Sequence, residues 1–205
     1  MFIIVTGPSR SGKSEWAEAI TLDIFNQQTN QEPNQNILSR SENQGAIREH
    51  PEFFELIYIA TATHNPDDPE WTARIQQHQQ RRVAPWQTLE VPKQLAESLN
   101  QLTTNQVVLV DALGTWLANF LDLDDQQWQT VEAELIAAVT HCRANLVCVA
   151  EEVGWSVVPA YALGRLFRDR LGRLVRQLAG VADQTYLVVA GFALDLRQLG
   201  TRVGD

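Results

Sequence analysis

Residues 7–14 read Gly7-Pro8-Ser9-Arg10-Ser11-Gly12-Lys13-Ser14, with Phe2-Ile3-Ile4-Val5 before them and Glu15-Trp16-Ala17-Glu18-Ala19-Ile20 after. The apolar run predicts a strand, the later stretch has a helical pattern, and the octet between them has the spacing of a phosphate-binding loop. Its two glycines let the backbone curl so that successive N–H groups face one anion. The helix that begins here brings its positive end to the same point. In such a loop the lysine, here Lys13, reaches the terminal phosphates as a catalytic group, and the Ser14 hydroxyl holds Mg²⁺. The octet therefore predicts that Gly7, Pro8, Ser9, Arg10, Ser11, Gly12, Lys13 and Ser14 bind a nucleoside triphosphate. The bland alternative is a glycine turn between a strand and a helix.

Outward from the loop, short apolar runs alternate with helical patterns. Strands are predicted at Phe2–Thr6, Leu56–Thr61, Val107–Asp111, Leu146–Ala150 and Tyr186–Ala190. Helices are predicted at Lys13–Phe25, Pro69–Gln80, Pro92–Gln101, Ala112–Leu121, Gln126–Arg143 and Pro159–Ala179. Strands apolar on both faces are those of a buried parallel sheet. Alternation with helices covers that sheet on both sides and gathers the strand C-termini on one edge, where ligands bind. The expected fold is α/β, P-loop NTPase-like and RecA-like, in one domain. Residues Asn26 to Glu55, rich in Gln, Asn, Ser and Glu, read as a polar surface insertion without chemistry, His50 included.

The 205 residues suit one domain with a full core, and 44% of them are hydrophobic. A net charge of −9 argues against a nucleic-acid partner, because a phosphate backbone needs a cationic surface. Cys142 and Cys148 lack metal-ligand spacing and read as reduced thiols, one in a buried strand. With no signal-peptide pattern and no apolar run of about 20 residues, the chain reads as cytoplasmic, without a membrane span.

A loop of this kind needs a carboxylate for Mg²⁺ at a neighbouring strand end. Val107-Val108-Leu109-Val110-Asp111 has that form, and Asp111 is predicted to hold Mg²⁺ with Ser14. Its alternative role is N-cap of the next helix. A second cluster runs from Arg74 to Glu90 and holds His78, three arginines, Trp86 and a terminal acid. Histidine is a plausible nucleophile near neutral pH, and arginines bind phosphate oxygens in pairs. On the residues alone, a lone histidine on a polar helix is usually just exposed, and His78 reads first as that.

The chain resembles the bifunctional adenosylcobinamide kinase/adenosylcobinamide-phosphate guanylyltransferase family of cobalamin biosynthesis. The resemblance rests on the loop, on Tyr58-Ile59-Ala60-Thr61, and on Ala73-Arg74-Ile75…His78…Arg82…Trp86-Gln87-Thr88…Glu90. It continues through Glu152-Val153-Gly154…Val158-Pro159, Phe167-Arg168-Asp169…Gly172-Arg173-Leu174 and Leu187-Val188-Val189-Ala190-Gly191. It implies that GTP guanylylates His78, releasing pyrophosphate. It also implies nucleotide or metal contacts from Ala60, Thr61, Ala62, Gln79, Gln80, Arg81, Arg82, Glu90 and Asp111. Substrates would be adenosylcobinamide and its phosphate, with ATP or GTP as phosphoryl donor and GTP as guanylyl donor. A homo-oligomer, a trimer by the family pattern, is implied too. The chain departs from that pattern at Val83, Ser156 and Val175-Arg176.

Other residues carry open readings. His64 reads as exposed, and His141 as a structural residue near a helix C-terminus. Arg165, Arg168, Arg170, Arg173 and Arg176 read as a solvated basic face, or as anion-binding or interface groups. Trp116 and Trp155 are candidates to line an apolar surface for a partner subunit or a corrin ring. On residues alone, a kinase of another small molecule and a GTP-dependent regulatory protein stay open as functions.

Overall fold

The strand before the loop, β1 (Phe2–Gly7), is buried at every position, as an apolar run flanked on both sides requires. It lies in a computed structural model that describes residues 1–29, 54–63 and 85–203. Its neighbours are β2 (Glu55–Ala60), β3 (Trp86–Glu90), β4 (Gln106–Asp111), β5 (Asn145–Glu151), β6 (Gln184–Val189) and β7 (Phe192–Asp195). The sheet order is β3-β2-β4-β5-β1-β6-β7, parallel throughout except for the antiparallel edge strand β7. The expected α/β sheet is present, and the five predicted strands lie within one or two residues of those observed.

Among the described residues the helices are α1 (Lys13–Thr29), α2 (Leu95–Asn100), α3 (Leu113–Ala118), α4 (Asp125–His141), α5 (Ala162–Val181) and α6 (Leu196–Leu199). Two cores follow from the period of two along each strand. Ile3, Val5, Leu109, Val147 and Val149 face Ala17 and Ile24 of α1. Ile4, Val108, Val110, Leu146 and Cys148 face Leu99, Leu117, Leu135, Leu171 and Leu174 of α2 to α5. Helices thus cover both faces of the sheet. α4 starts at a capping box in which Asp124 accepts the Gln127 N–H at 2.8 Å and Gln127 accepts the Asp124 N–H at 3.1 Å.

Several expectations change. Asn26–Thr29 continue α1, because Ile24 and Thr21 keep that helix seated on the sheet, and Glu55 opens β2. The polar stretch therefore contributes structure at both ends; residues 30–53 lie outside the described residues, as does the helix expected at 69–80. β3, β7 and α6 were not anticipated. Trp116 is not a surface residue: it packs against Phe120 at 5.0 Å and Trp128 at 5.9 Å between ring centroids. Trp155 is exposed at 63%. His141 closes α4, with Nδ1 2.8 Å from the Ala137 carbonyl.

Arg170 does not belong to a solvated face, since it is only 4% exposed. Its guanidinium donates to the carbonyls of Phe120 (3.2 Å) and Leu123 (2.8 Å), pairs with Asp125 at 3.1 Å, and lies 5.3 Å from the Trp128 ring. It pins the turn between α3 and α4 onto α5. Arg170→Met keeps the stem but orphans both carbonyls, so a loss of about 2–3 kcal/mol in urea unfolding is expected. A loss below 0.5 kcal/mol, roughly that of a surface substitution, would contradict this role.

Beside it, Glu132 is 5% exposed, and its Oε1 has no hydrogen-bond partner among the described residues. Burial raises the Glu132 carboxyl above the usual carboxylate range, against the pull of Arg173 and Arg170. A carboxyl whose folded pKa is raised destabilises the fold when ionised, and that penalty fades as pH falls through the folded value. Glu132→Gln removes the penalty. Its stability relative to the native chain is therefore expected to be higher at pH 8 than at pH 5 in parallel urea titrations. An equal difference at both values would refute the burial argument.

Candidate functional site

The site lies on the edge where the parallel strands end. Ala60 aligns with Asp111 on one side and with Glu90 on the other, which sets the tips of β3, β2 and β4 in a row. Gly7 aligns with Glu151, so the loop opens beside the tip of β5. The Glu152 N–H donates to the Gly7 carbonyl at 2.8 Å and ties the two tips together.

The loop is held tightly. A Cβ at Gly7 would fall 2.2 Å from the Val188 carbonyl oxygen, so no other residue fits there. Arg10 and Gly12 have φ of 59° and 95°, which curls the main chain between β1 and α1. The Gly191 N–H, in the turn joining β6 to β7, donates to the Ser11 carbonyl at 3.1 Å. Ala190 and Gly191 at that turn have φ of 52° and 79°, the left-handed pair of a two-residue hairpin. α1 is locked at its start by the Trp16 N–H to the Gly12 carbonyl, at 2.9 Å. Lys13 is 7% exposed, and its ammonium donates to the Pro8 carbonyl at 3.3 Å, folded over the loop. Ser14 sits in the first turn of α1.

Asp111 ends β4, and Tyr58 donates its phenol proton to Asp111 Oδ2 at 3.0 Å. The N-cap position of α3 is Ala112, not Asp111. Residues alternate along each strand, so Asp111 and Glu151 share the sheet face that carries α1. Thr61 is fully buried, and its hydroxyl is engaged by the Ala112 carbonyl (2.7 Å), the Ala112 N–H (3.0 Å) and the Thr115 hydroxyl (2.5 Å). Asn119 donates to the Thr61 carbonyl at 3.1 Å and the Pro92 carbonyl at 2.8 Å, bracing the Ala60–Ala62 turn. Glu90 is exposed at the tip of the edge strand β3. His78, Gln79, Gln80, Arg81 and Arg82 lie outside the described residues, as do His50 and His64.

The sequence reading passed over Glu151. Asn145-Leu146-Val147-Cys148-Val149-Ala150-Glu151 repeats the form that singled out Asp111, an apolar strand ending in an acid. Its Oε2 accepts the Gly114 N–H at 2.9 Å. Burial pushes the Glu151 carboxyl upward and the Asp111 charge adds to the push; the Lys13 ammonium and the Gly114 N–H oppose it. Two carboxylates, an ammonium and a curled loop thus converge on one sheet edge. The loop and the ammonium can receive a polyphosphate, and Asp111 with the Ser14 hydroxyl can hold a hard cation against it through oxygen donors.

Such a loop on such a sheet defines a P-loop NTPase-like α/β enzyme. A profile described as cobinamide kinase / cobinamide phosphate guanyltransferase matches residues 41–196. The Escherichia coli bifunctional adenosylcobalamin biosynthesis protein CobU is 34% identical, across 96% of this chain and 100% of its own. Its Salmonella typhimurium counterpart is 32% identical across the same shares. The Pseudomonas aeruginosa bifunctional adenosylcobalamin biosynthesis protein CobP is 36% identical, across 68% of this chain and 81% of its own. The chain belongs to the cobinamide kinase / cobinamide phosphate guanyltransferase family.

Proposed function

We propose that this chain phosphorylates adenosylcobinamide with ATP or GTP, and then transfers GMP from GTP to adenosylcobinamide phosphate, giving adenosylcobinamide-GDP. The observation that carries the reading is the loop wedged between β5 and β6, with buried Lys13 folded over it, in a chain of this family.

In the kinase step the loop N–H groups and Lys13 bind the triphosphate and take up the charge that develops on the transferring group. Ser14 and Asp111 are hard oxygen donors too few to enclose a cation, which suits Mg²⁺, an ion that keeps waters and takes phosphate oxygens. When bound, Mg²⁺ would neutralise charge on the phosphates. Tyr58 holds the Asp111 carboxylate in place. In the guanylyl step His78 attacks the α-phosphate of GTP, forming an N–P bond as pyrophosphate leaves. The substrate phosphate then takes the GMP. Ala60, Thr61, Ala62, Gln79, Gln80, Arg81, Arg82 and Glu90 contact the nucleotide in this reading. Thr61 does so through the turn it braces rather than through its engaged hydroxyl.

Two further proposals accompany this one. A homo-oligomer, a trimer by family resemblance, is supported by exposed Trp155, Val157, Val158, Tyr161 and Leu163 along one segment leading into α5. A cytoplasmic location is supported by free Cys142 and Cys148. No helix among the described residues is long and apolar enough to cross a membrane.

The test uses two labels on the whole chain. GTP or ATP labelled at the γ-phosphate should label adenosylcobinamide. GTP labelled at the α-phosphate should label the protein, and the label should move to adenosylcobinamide phosphate when that substrate is added. Phosphoryl transfer without a protein label would indicate a kinase alone; slow hydrolysis with neither transfer would indicate a nucleotide switch.

A further inference from the structure

β5 lies between β1, which carries the loop, and β4, which carries Asp111. Glu151 ends β5 level with Gly7. The β4–β5 register aligns Val110 with Cys148, so Glu151 stands further out along the sheet than Asp111. Its carboxylate leans over the start of α3, where the Gly114 N–H holds Oε2 at 2.9 Å. Gly114 is required for this approach, since a Cβ there would lie 2.1 Å from Oε2. Both Lys13 and Asp111 act on it electrostatically, and it forms no ion pair among the described residues. An acid placed beside a triphosphate loop repels the phosphates it faces. A carboxylate held there by the Gly114 N–H can instead accept a hydrogen bond from a hydroxyl.

Resting on the kinase reading above, we propose that Glu151 binds the acceptor hydroxyl for phosphoryl transfer. The hydroxyl donates its hydrogen bond to the carboxylate, which turns the oxygen lone pair toward the γ-phosphorus. The oxygen–phosphorus bond forms as the bond from the γ-phosphorus to the bridging oxygen breaks. That bridging electron pair leaves on the nucleoside diphosphate. The hydroxyl proton passes to the carboxylate and then to water. Positioning and proton acceptance of this kind are worth about 10²–10⁴-fold.

The experiment compares the native chain with Glu151→Gln, whose amide oxygen can still accept the Gly114 N–H. The kinase kcat with adenosylcobinamide is expected to fall at least about 10²-fold. Affinity for GTP with Mg²⁺, by calorimetry, and protein labelling from α-labelled GTP should stay within about threefold. Formate should restore part of the turnover of Glu151→Ala, which a merely structural carboxylate would not do. If the Gln variant fails to fold, Glu151→Asp carries the test, with kcat expected to fall about tenfold and nucleotide affinity unchanged. A kcat within about threefold of native in the folded variant overturns the proposal. So does a matching loss of nucleotide affinity, which would make Glu151 a metal or phosphate holder. A native chain that labels no adenosylcobinamide defeats the kinase reading itself, before any variant is compared.

Discussion

Lys13→Met is expected to lower kinase turnover about 10³-fold while leaving the chain folded. Lys13 is only 7% exposed, and among the described residues its ammonium donates one hydrogen bond, a 3.3 Å contact to the Pro8 carbonyl. That contact is long, so its loss costs little stability. The ammonium is thereby kept beside the loop for an anionic partner. A methionine keeps most of the stem volume and removes the charge. A positive group fixed before the substrate arrives needs no reorganisation as charge builds on the transferring phosphoryl, so its loss falls mainly on kcat. Steady-state assays with γ-labelled nucleotide read the effect, and urea unfolding checks the fold. Turnover within tenfold of native, in a folded variant, would remove the loop from the chemistry.

His78→Ala is expected to abolish the protein-bound GMP label and to lower guanylyl transfer at least about 10⁴-fold, since a lost nucleophile leaves no covalent route. Phosphorylation of adenosylcobinamide should persist, because Lys13, Ser14 and Asp111 are untouched. That split between two activities of one chain would separate the guanylyl chemistry from the phosphoryl chemistry. Attack requires the neutral imidazole, so label formation by the native chain should weaken in acid. The N–P bond should be labile to acid and stable to base. A label that survives His78→Ala would move the nucleophile elsewhere; a variant that loses both activities equally would make His78 a binding residue.

Much of the fold was legible because its central strands are apolar on both faces. Phe2–Gly7, Gln106–Asp111 and Asn145–Glu151 are covered by helices above and below, so their sequences carry no polar alternation. The edges were not legible. Trp86–Glu90 is mostly exposed and mixes polar with apolar residues, so it read as part of a reactive cluster rather than as a strand. Phe192–Asp195 exists because the left-handed pair Ala190-Gly191 turns the chain back antiparallel to β6. Edge strands of this kind are set by a neighbour's hydrogen-bonding groups, and a neighbour is not a local property.

The same limit governs individual side chains. Arg170 follows the spacing of its exposed neighbours on α5, yet it is buried because the carbonyls of Phe120 and Leu123 open toward it. Trp116 looks like a candidate surface aromatic until Phe120 and Trp128 close around it. Glu151 differs: its signal, an apolar run ending in an acid, was present in the sequence, but only the register with Gly7 gives it a site.

The sequence by itself determined the loop and the strand that delivers it, because a glycine-rich turn between an apolar run and a helix is written in adjacent residues. It likewise determined the family. Tertiary structure alone decided which acids meet that loop, since strand order brings β5, rather than β4, against β1. Main-chain hydrogen bonding between strands distant in the chain sets that order, and pairing partners leave no mark on either strand's own residues.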